Sequence, residues 1–373
     1  MIYKIFNKVD SLKKNWQVLK KRQKIFSKNR SLKNYKIKSD VIQKFKNRWS
    51  AFGKPSAKWL KIYAGINNII SPDYVPENYY YVIIEPRLNN LIYSLAYADK
   101  NLYTILIPEN VDVLPKTFLR KINGVFYENG YKPVSINEAK EILKNISHKE
   151  IIIKPSSDSA GGRNVSILRN YSNIWYNKEQ KFDLQTINQK YPTNLILQEK
   201  INQHSFYKSL NESSVNTVRI FTYRSVKDNK IHILHSIIRV GKPGQEVDNQ
   251  ASGGYSIGVD NKGYLNSFAV NKYGNKTSLI NNLDLKTIKK APGIENMHQV
   301  AKKIAPAFFY NRLLAFDFCL DEQGNVKLLE VNLKNIEINF LQMNNGPLFG
   351  NKTAEIIDYC KTAPKSINFD FYV

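Results

Sequence analysis

The sequence predicts an α+β fold, and three features carry that expectation. Near the C-terminus two apolar runs, 313–320 and 326–331, flank the polar spacer Asp321-Glu322-Gln323-Gly324-Asn325, which has the composition of a tight hairpin turn. Upstream, 216–223 (NTVRIFTY) and 231–240 (IHILHSIIRV) read as antiparallel neighbours. Stretches with a helical reading, 87–99 and 293–306, lie before each of these strand pairs. With 373 residues, 42% of them hydrophobic, the chain can bury a large core and form two or three subdomains.

The first 61 residues set the charge. They hold 19 Lys and Arg against two acids, Asp10 and Asp40, and so carry +17 of a formal net charge of +25. Apolar residues at helical spacing (Ile2, Ile5, Phe6, Val9, Leu12, Trp16, Leu19) are ringed by Lys, with further aromatics at Phe26, Tyr35, Phe45, Trp49, Phe52 and Trp59. A basic amphipathic arm of this kind suits an anionic membrane surface. Nucleic acid is a rival that rests on charge alone, without a recognition module. Lysine-rich helices packed on the body are the third reading. No long apolar run and no apolar leader follow the start, so neither a transmembrane helix nor a signal peptide is expected. Two cysteines, Cys319 and Cys360, form no framework and fit a reducing, cytoplasmic setting. Histidine is scarce and unclustered, which gives a zinc site or a Ser-His-Asp triad little support.

Residues 65–78 read as a loop broken by Ser71-Pro72 and Val75-Pro76, followed by a strand at 80–85 and the helix at 87–99. A short strand, 151–154, ends in Lys154-Pro155 and meets the small-residue loop 156–164, after which a strand resumes at 165. Strand, turn, strand is not a Walker loop, which needs a helix after its glycines. Free backbone N–H groups in such a turn can still cover phosphates, with Lys154 as a point charge. The strand 195–201 carries Gln198, Glu199 and Lys200 at its end. Arg219 and Arg239 each interrupt an apolar strand, and a buried arginine needs an anionic partner. That partner is either a core Asp or Glu or a ligand phosphate or carboxylate. The Gly-rich loop 241–255 is a place to hold a substrate.

In the closing hairpin, Asp317 interrupts one apolar run and Glu330 the other, with Asn332 two places on. Residues two apart on a strand share a face, and pairing can bring Asp317 onto it. Buried carboxylates need a cation or a hydrogen-bond network. Three oxygen donors without His or Cys suit Mg²⁺ with phosphates. The alternative is a pairing of these acids with nearby lysines.

Taken in order, the strand-end Lys-Pro, the glycine-rich loop, the hinge strand, NTVRI and the Asp317…Glu330-x-Asn332 hairpin resemble the ATP-grasp superfamily. NTVRI, DNQASGGYSIGVDNKGYL and LQMNNGPLFG look most like its sugar-transfer-associated branch, found in bacterial surface-polysaccharide (capsule) gene clusters; the resemblance spans roughly 80–350. It implies an ATP-grasp fold in which two α+β subdomains grip ATP. The expected division is a basic helical arm (1–75), an N-terminal α/β subdomain (76–145), an ATP-grasp subdomain with the glycine loop (146–202) and a C-terminal subdomain with the metal site (203–373).

The resemblance also implies roles. Lys154 and Lys100 would meet phosphates, with Lys116 as the alternative to Lys100. Ser159, Gly161 and Gly162 would lie in the loop over the β- and γ-phosphates. Gln198, Glu199, Lys200 and Ile201 would form the adenine hinge, although no ribose-binding acid follows closely; Glu212 lies further on. Asp317, Glu330 and Asn332 would hold two Mg²⁺ ions. Arg219 would face the γ-phosphate, and Arg239 with Asn249, Ser252, Gly253 and Gly254 the second substrate. The implied activity is an amide-forming carboxylate–amine ligase working through an acyl phosphate on sugar- or glycan-linked substrates. A kinase with the same ATP site and a non-catalytic glycan-assembly partner are the alternatives. The expected location is cytoplasmic, peripheral at the inner membrane face.

Overall fold

The computed structural model describes residues 2–157, 164–244, 253–288 and 290–366. Two antiparallel sheets dominate the chain. The first comprises β1 (Thr117–Ile122), β2 (Val125–Tyr127), β3 (Pro133–Val134), β4 (Glu150–Lys154), β5 (Ser166–Tyr171), β6 (Ile174–Asn177), β7 (Gln180–Lys181) and β8 (Leu195–Glu199), in the order β3-β2-β1-β8-β4-β5-β6-β7. The second contains β9 (Thr217–Arg224), β10 (Ile231–Val240), β11 (Tyr255–Val259), β12 (Leu265–Asn271) and β13 (Lys276–Thr277). A two-stranded ribbon, β14 (Leu279–Ile280) and β15 (Leu283–Asp284), follows. The hairpin β16 (Leu313–Leu320) and β17 (Val326–Asn332) closes the second sheet, in the order β13-β12-β11-β10-β9-β16-β17.

Alternation along the central strands separates two cores. Phe221, Tyr223, Ile237, Leu313 and Ala315 face one layer of helices, whereas Val218, Ile220, Ile238, Phe316 and Phe318 face the opposite layer. The first layer is built from α1 (Ile2–Lys28), α2 (Ser39–Trp49) and α3 (Lys58–Asn67) with helices from the end of the chain. The first sheet has its own core, in which α4 (Ile136–Lys144) and α5 (Leu184–Lys190) pack on Leu119, Ile151, Ile153 and Leu197. Ser135 caps α4 in a reciprocal box with Glu138. β1–β3 precede residue 146 and β4–β8 follow it, so the boundary expected at 145/146 runs through one sheet.

One expectation needs correction. Residues 80–85 are not a strand. Tyr80–Ile84 forms a wide helical turn continued by Glu85–Leu88. The run of aromatic and β-branched residues favours a strand locally, but burial of Tyr80, Tyr81 and Ile84 beneath the N-terminal helices decides otherwise. Buried Glu77 anchors the start of this helix, accepting from Tyr63 Oη at 2.9 Å and pairing with Lys21 Nζ at 3.3 Å. For the basic arm, the reading that has its helices packed on the body is the one the core bears out. Phe45, Trp49 and Trp59 are fully buried in the same core as the second sheet, and Phe26, Tyr35 and Phe52 pack against it.

Glu85 is buried within this core, and its Oε1 accepts from the Ile336 N–H at 3.0 Å. Burial raises its pKa to about 7, against the opposing pull of the Ile336 and Asn335 amides. The folded pKa therefore lies above the unfolded one. The folded state holds the extra proton between them, and stability falls as pH rises from below 4.5 through about 7. A rise of this size corresponds to roughly 3 kcal/mol lost at high pH. Glu85→Gln, which keeps an acceptor and removes the charge, should raise the unfolding free energy at pH 8 by roughly 2 kcal/mol and change it little at pH 4. Urea titrations at both pH values check this; equal effects would mean that Glu85 titrates normally.

Candidate active site

The site starts from strand register. In the closing hairpin Asp317 stands opposite Glu330, and Ala315 opposite Asn332. On its other side β16 pairs with β9, which puts Arg219 opposite Asp317. Arg239 lies two residues beyond Ile237, the partner of Arg219. Opposed residues share a face, so Arg239, Arg219, Asp317, Glu330 and Asn332 line one side of four adjacent strands. They sit where the apolar face ending at Leu313 and Ala315 gives way to charge.

Asp317 is the centre of this row. Arg219 grips it with both prongs, Nε to Oδ1 and Nη2 to Oδ2, each at 2.7 Å. Arg239 Nη1 donates to Oδ2 at 3.0 Å and Asn332 Nδ2 to the same oxygen at 3.2 Å. Burial is the largest influence on Asp317 and by itself raises its pKa, but the two arginines and Asn332 outweigh it and hold the group below its usual value. Burial likewise opposes the charge on Arg219, and Asp317 more than restores it, so its pKa is raised. Of the two possible partners for a buried arginine, the structure selects a core carboxylate, 98 residues away in sequence.

Glu330 is partly exposed and pairs with Lys100, whose Nζ lies 2.9 Å from Oε1. Lys100 itself is buried because the turn Lys100–Leu102, capped by Asp99, hangs from the end of β4 through Lys100 N–H to Ser156 O at 2.8 Å. This attachment puts Lys100 near Lys154. Burial first, then the charge of Lys100, lower the Lys154 pKa to about 8, with Glu330 acting in the opposite direction. Lys116 is placed elsewhere, exchanging backbone and side-chain hydrogen bonds with Glu199. Of the two candidates for the earlier lysine, Lys100 is therefore the one beside the acidic hairpin.

Gln198 and Glu199 end β8, and Lys200 and Ile201 follow it directly. Gln198 is buried and donates to Thr117 Oγ1, Lys200 pairs with Glu150, and Ile201 is buried. Immediately afterwards His204 N–H donates to Leu320 O and Glu322 N–H to Asn202 O, tying the end of the first sheet to the hairpin of the second. Gly253 has a left-handed φ of +105° that favours glycine, and with Gly254 it leads into β11 beside Arg239. Ser159, Gly161, Gly162, Asn249 and Ser252 lie outside the described residues. Among the described residues no group of three His, Cys, Asp or Glu is placed to hold a metal. Asp317, Glu330 and Asn332 offer two carboxylates and an amide, whose oxygens suit a hard cation.

Sequence reasoning missed Tyr103 and Glu337. Tyr103 Oη accepts from the Val331 N–H at 2.9 Å between Glu330 and Asn332, and Glu337 adds negative charge near Arg219. The signal was faint: Tyr103 is three residues past Lys100, one helical turn, and Glu337 is an acid between two isoleucines.

The family model for sugar-transfer associated ATP-grasp matches residues 82–357. This chain belongs to that family. The match begins after α3, so the N-terminal helices lie outside it. No curated protein matches the chain. Among solved structures, the biotin carboxylase domain of a Hydrogenobacter thermophilus 2-oxoglutarate carboxylase, in complex with MgADP and bicarbonate, is 15% identical, with 74% of this chain and 48% of that one covered at a TM-score of 0.41. N5-carboxyaminoimidazole ribonucleotide synthetase from Thermotoga maritima is 10% identical, covering 74% and 52% at 0.37. The D-alanine–D-alanine ligase of Bacillus anthracis is 11% identical, covering 73% and 68% at 0.39. The chain thus spans about half of the first two. At such scores these likenesses carry no argument about what this ATP-grasp chain does.

Proposed function

We propose that this ATP-grasp protein is an ATP-dependent carboxylate–amine ligase that forms an amide through an acyl phosphate, on substrates linked to a bacterial surface polysaccharide. The two sheets would be the halves that grip ATP, with Lys100, Lys154 and the 156–164 loop toward its phosphates. Asp317, Glu330 and Asn332 would hold Mg²⁺. When bound, the ion supplies neutralisation of phosphate charge.

The observation that carries the ligase reading is the double arginine clamp on Asp317. Asp317 cannot hold a cation with full strength while Oδ2 accepts three donors, so one of them must turn away when nucleotide and metal arrive. Arg239 gives Asp317 one hydrogen bond where Arg219 gives two, so of the two arginines it is the one released from Asp317 more cheaply. It would then meet the anionic acceptor beside Gly253 and Gly254, while Arg219 stays on Asp317. In the first step a carboxylate oxygen attacks the γ-phosphorus and ADP leaves. In the second the amine attacks the acyl carbon, an arginine faces the resulting oxyanion, and phosphate leaves as the amine loses a proton.

Isotope labelling tests this chemistry. The phosphate released carries one oxygen of the original carboxylate, so an ¹⁸O-labelled uronic or amino acid should yield labelled inorganic phosphate. A stable phosphorylated product without free phosphate would instead identify a kinase. An ADP-release screen of such acids with Mg²⁺ precedes the labelling. No helix among the described residues is long and apolar enough to cross a membrane. The reading adds that the basic N-terminal region brings the protein to the cytoplasmic face of an anionic membrane.

A further inference from the structure

Core packing accounts for only one side of α1. Val18 and Ile25 are buried, and Asp10, the helix's single acid, is paired with Lys14 at 3.1 Å. On another side, a stripe at alternating four- and three-residue spacing begins with Ile5, Val9, Leu12 and Trp16, all exposed, Leu12 and Trp16 at 60% each. The same spacing continues through Leu19, Gln23 and Phe26, which form one wall of a cavity of about 660 Å³. Arg22, Lys33, Lys58 and Lys61 also line that cavity, and none of its lining residues is acidic. The guanidinium of Arg22 lies over the Trp59 ring at 5.3 Å, which holds it in place. One face of one helix therefore runs from an open apolar strip into a cationic hollow.

The flanks of the strip identify its occupant. A second copy docking along a four-three seam would oppose Lys8, Lys13, Lys20 and Arg22 to their own kind, because these residues border the seam. A nucleic acid would match the charge but leave four apolar side chains in water. An anionic bilayer satisfies both, with apolar side chains at the acyl boundary and lysines among the phosphates. Lys20 Nζ, 4.8 Å from the Trp16 ring centre, already has this arrangement of ring below and ammonium above.

We infer that α1 lies in the interface of an anionic membrane, with Ile5, Val9, Leu12 and Trp16 inserted and the phosphate of one lipid headgroup in the cavity of Arg22, Lys33, Lys58 and Lys61. This rests on the membrane part of the reading above and not on the ligase chemistry. Deleting residues 1–61 cannot test it, because Phe45, Trp49 and Trp59 are core. The experiment uses the full chain with phosphatidylcholine vesicles, pure or with about a third phosphatidylglycerol. Trp16 is exposed whereas Trp49, Trp59 and Trp175 are buried, so a blue shift of tryptophan emission on vesicles reports Trp16 alone.

The expected result is cosedimentation with the anionic vesicles only, weakened by salt, with a blue shift. Leu12→Asp with Trp16→Asp, and separately Lys33→Glu with Lys58→Glu, should each weaken binding about tenfold or more without changing the thermal midpoint. Salt-sensitive binding that survives both double variants would keep the membrane and sink this site. No binding to either vesicle sinks both. A dimer lost on Leu12→Asp, or an oligonucleotide that displaces the vesicles, would give the face to a second copy or to nucleic acid.

Discussion

Glu330→Gln should lower ATP turnover by roughly 10²-fold or more, the scale of losing one electrostatic contact to a charged transition state. Glu330 is the carboxylate on which both buried lysines act: Lys100 bonds it directly, and its charge supports the protonated form of Lys154. The amide keeps the shape and an acceptor for Lys100 but removes the carboxylate charge that pairs with that ammonium at 2.9 Å. Two consequences separate the possible roles. A residue that merely neutralises Lys100 would, when replaced, cost about 1–3 kcal/mol of stability with turnover per folded molecule unchanged. A residue that also holds the metal would lose turnover at concentrations of nucleotide that saturate the variant. ADP release measured alongside urea unfolding distinguishes these outcomes. Turnover within about threefold of the parent protein, far short of such a loss, would reduce the hairpin acid to a partner for lysine.

What could be read from the chain, and what could not, follows from the range of each interaction. The hairpin was legible because its turn is local, and the spacing of Asp317, Glu330 and Asn332 survives whatever the rest of the fold does. Lys154 was legible for the same reason, standing at the end of an unmistakable strand. The partner of Arg219 was not, since it depends on β9 pairing with β16 across 98 residues, which no local pattern specifies. Lys100 is still less visible, because the turn that carries it is held at the site by long-range bonds, Lys100 N–H to Ser156 O and Asn101 to Lys121 O and Leu195 O. Residues 80–85 were misread for a related reason: local preference favours a strand, and the helices that bury Tyr80 and Ile84 win. In the arm, composition leaves three readings open, because it does not say which aromatics a core will take. Both faces of α1 are apolar in places, and only packing reveals that Val18 and Ile25 point inward while Leu12 and Trp16 do not.

Arg219→Met should be the most destabilising single change at the site, costing about 3–5 kcal/mol, because it strands a buried carboxylate. Asp317 is 2% exposed and Arg219 7%, so water cannot replace the lost bidentate pair. Arg239 and Asn332 remain on Oδ2, which places the expected loss toward the lower end, but the Arg219 Nε bond to Oδ1 is lost. Combining Arg219→Met with Asp317→Leu removes both charges and should recover most of the stability, leaving a coupling energy of about 2–3 kcal/mol in the double-mutant cycle. On the proposed function the recovered protein should still be inactive, since Asp317 would be one of the two carboxylates that hold Mg²⁺. Arg219→Lys makes the complementary point. A single ammonium keeps the charge but cannot match both carboxylate oxygens, so folding should suffer far less than with Met. Turnover should nevertheless fall, because the row Arg239–Asp317–Glu330 would lose its fixed spacing, while nucleotide affinity measured by calorimetry should change little. If Met at this position costs less than about 1 kcal/mol, the value of an exposed pair, the clamp is not desolvated as the structure has it, and Arg219 is free to serve a ligand instead.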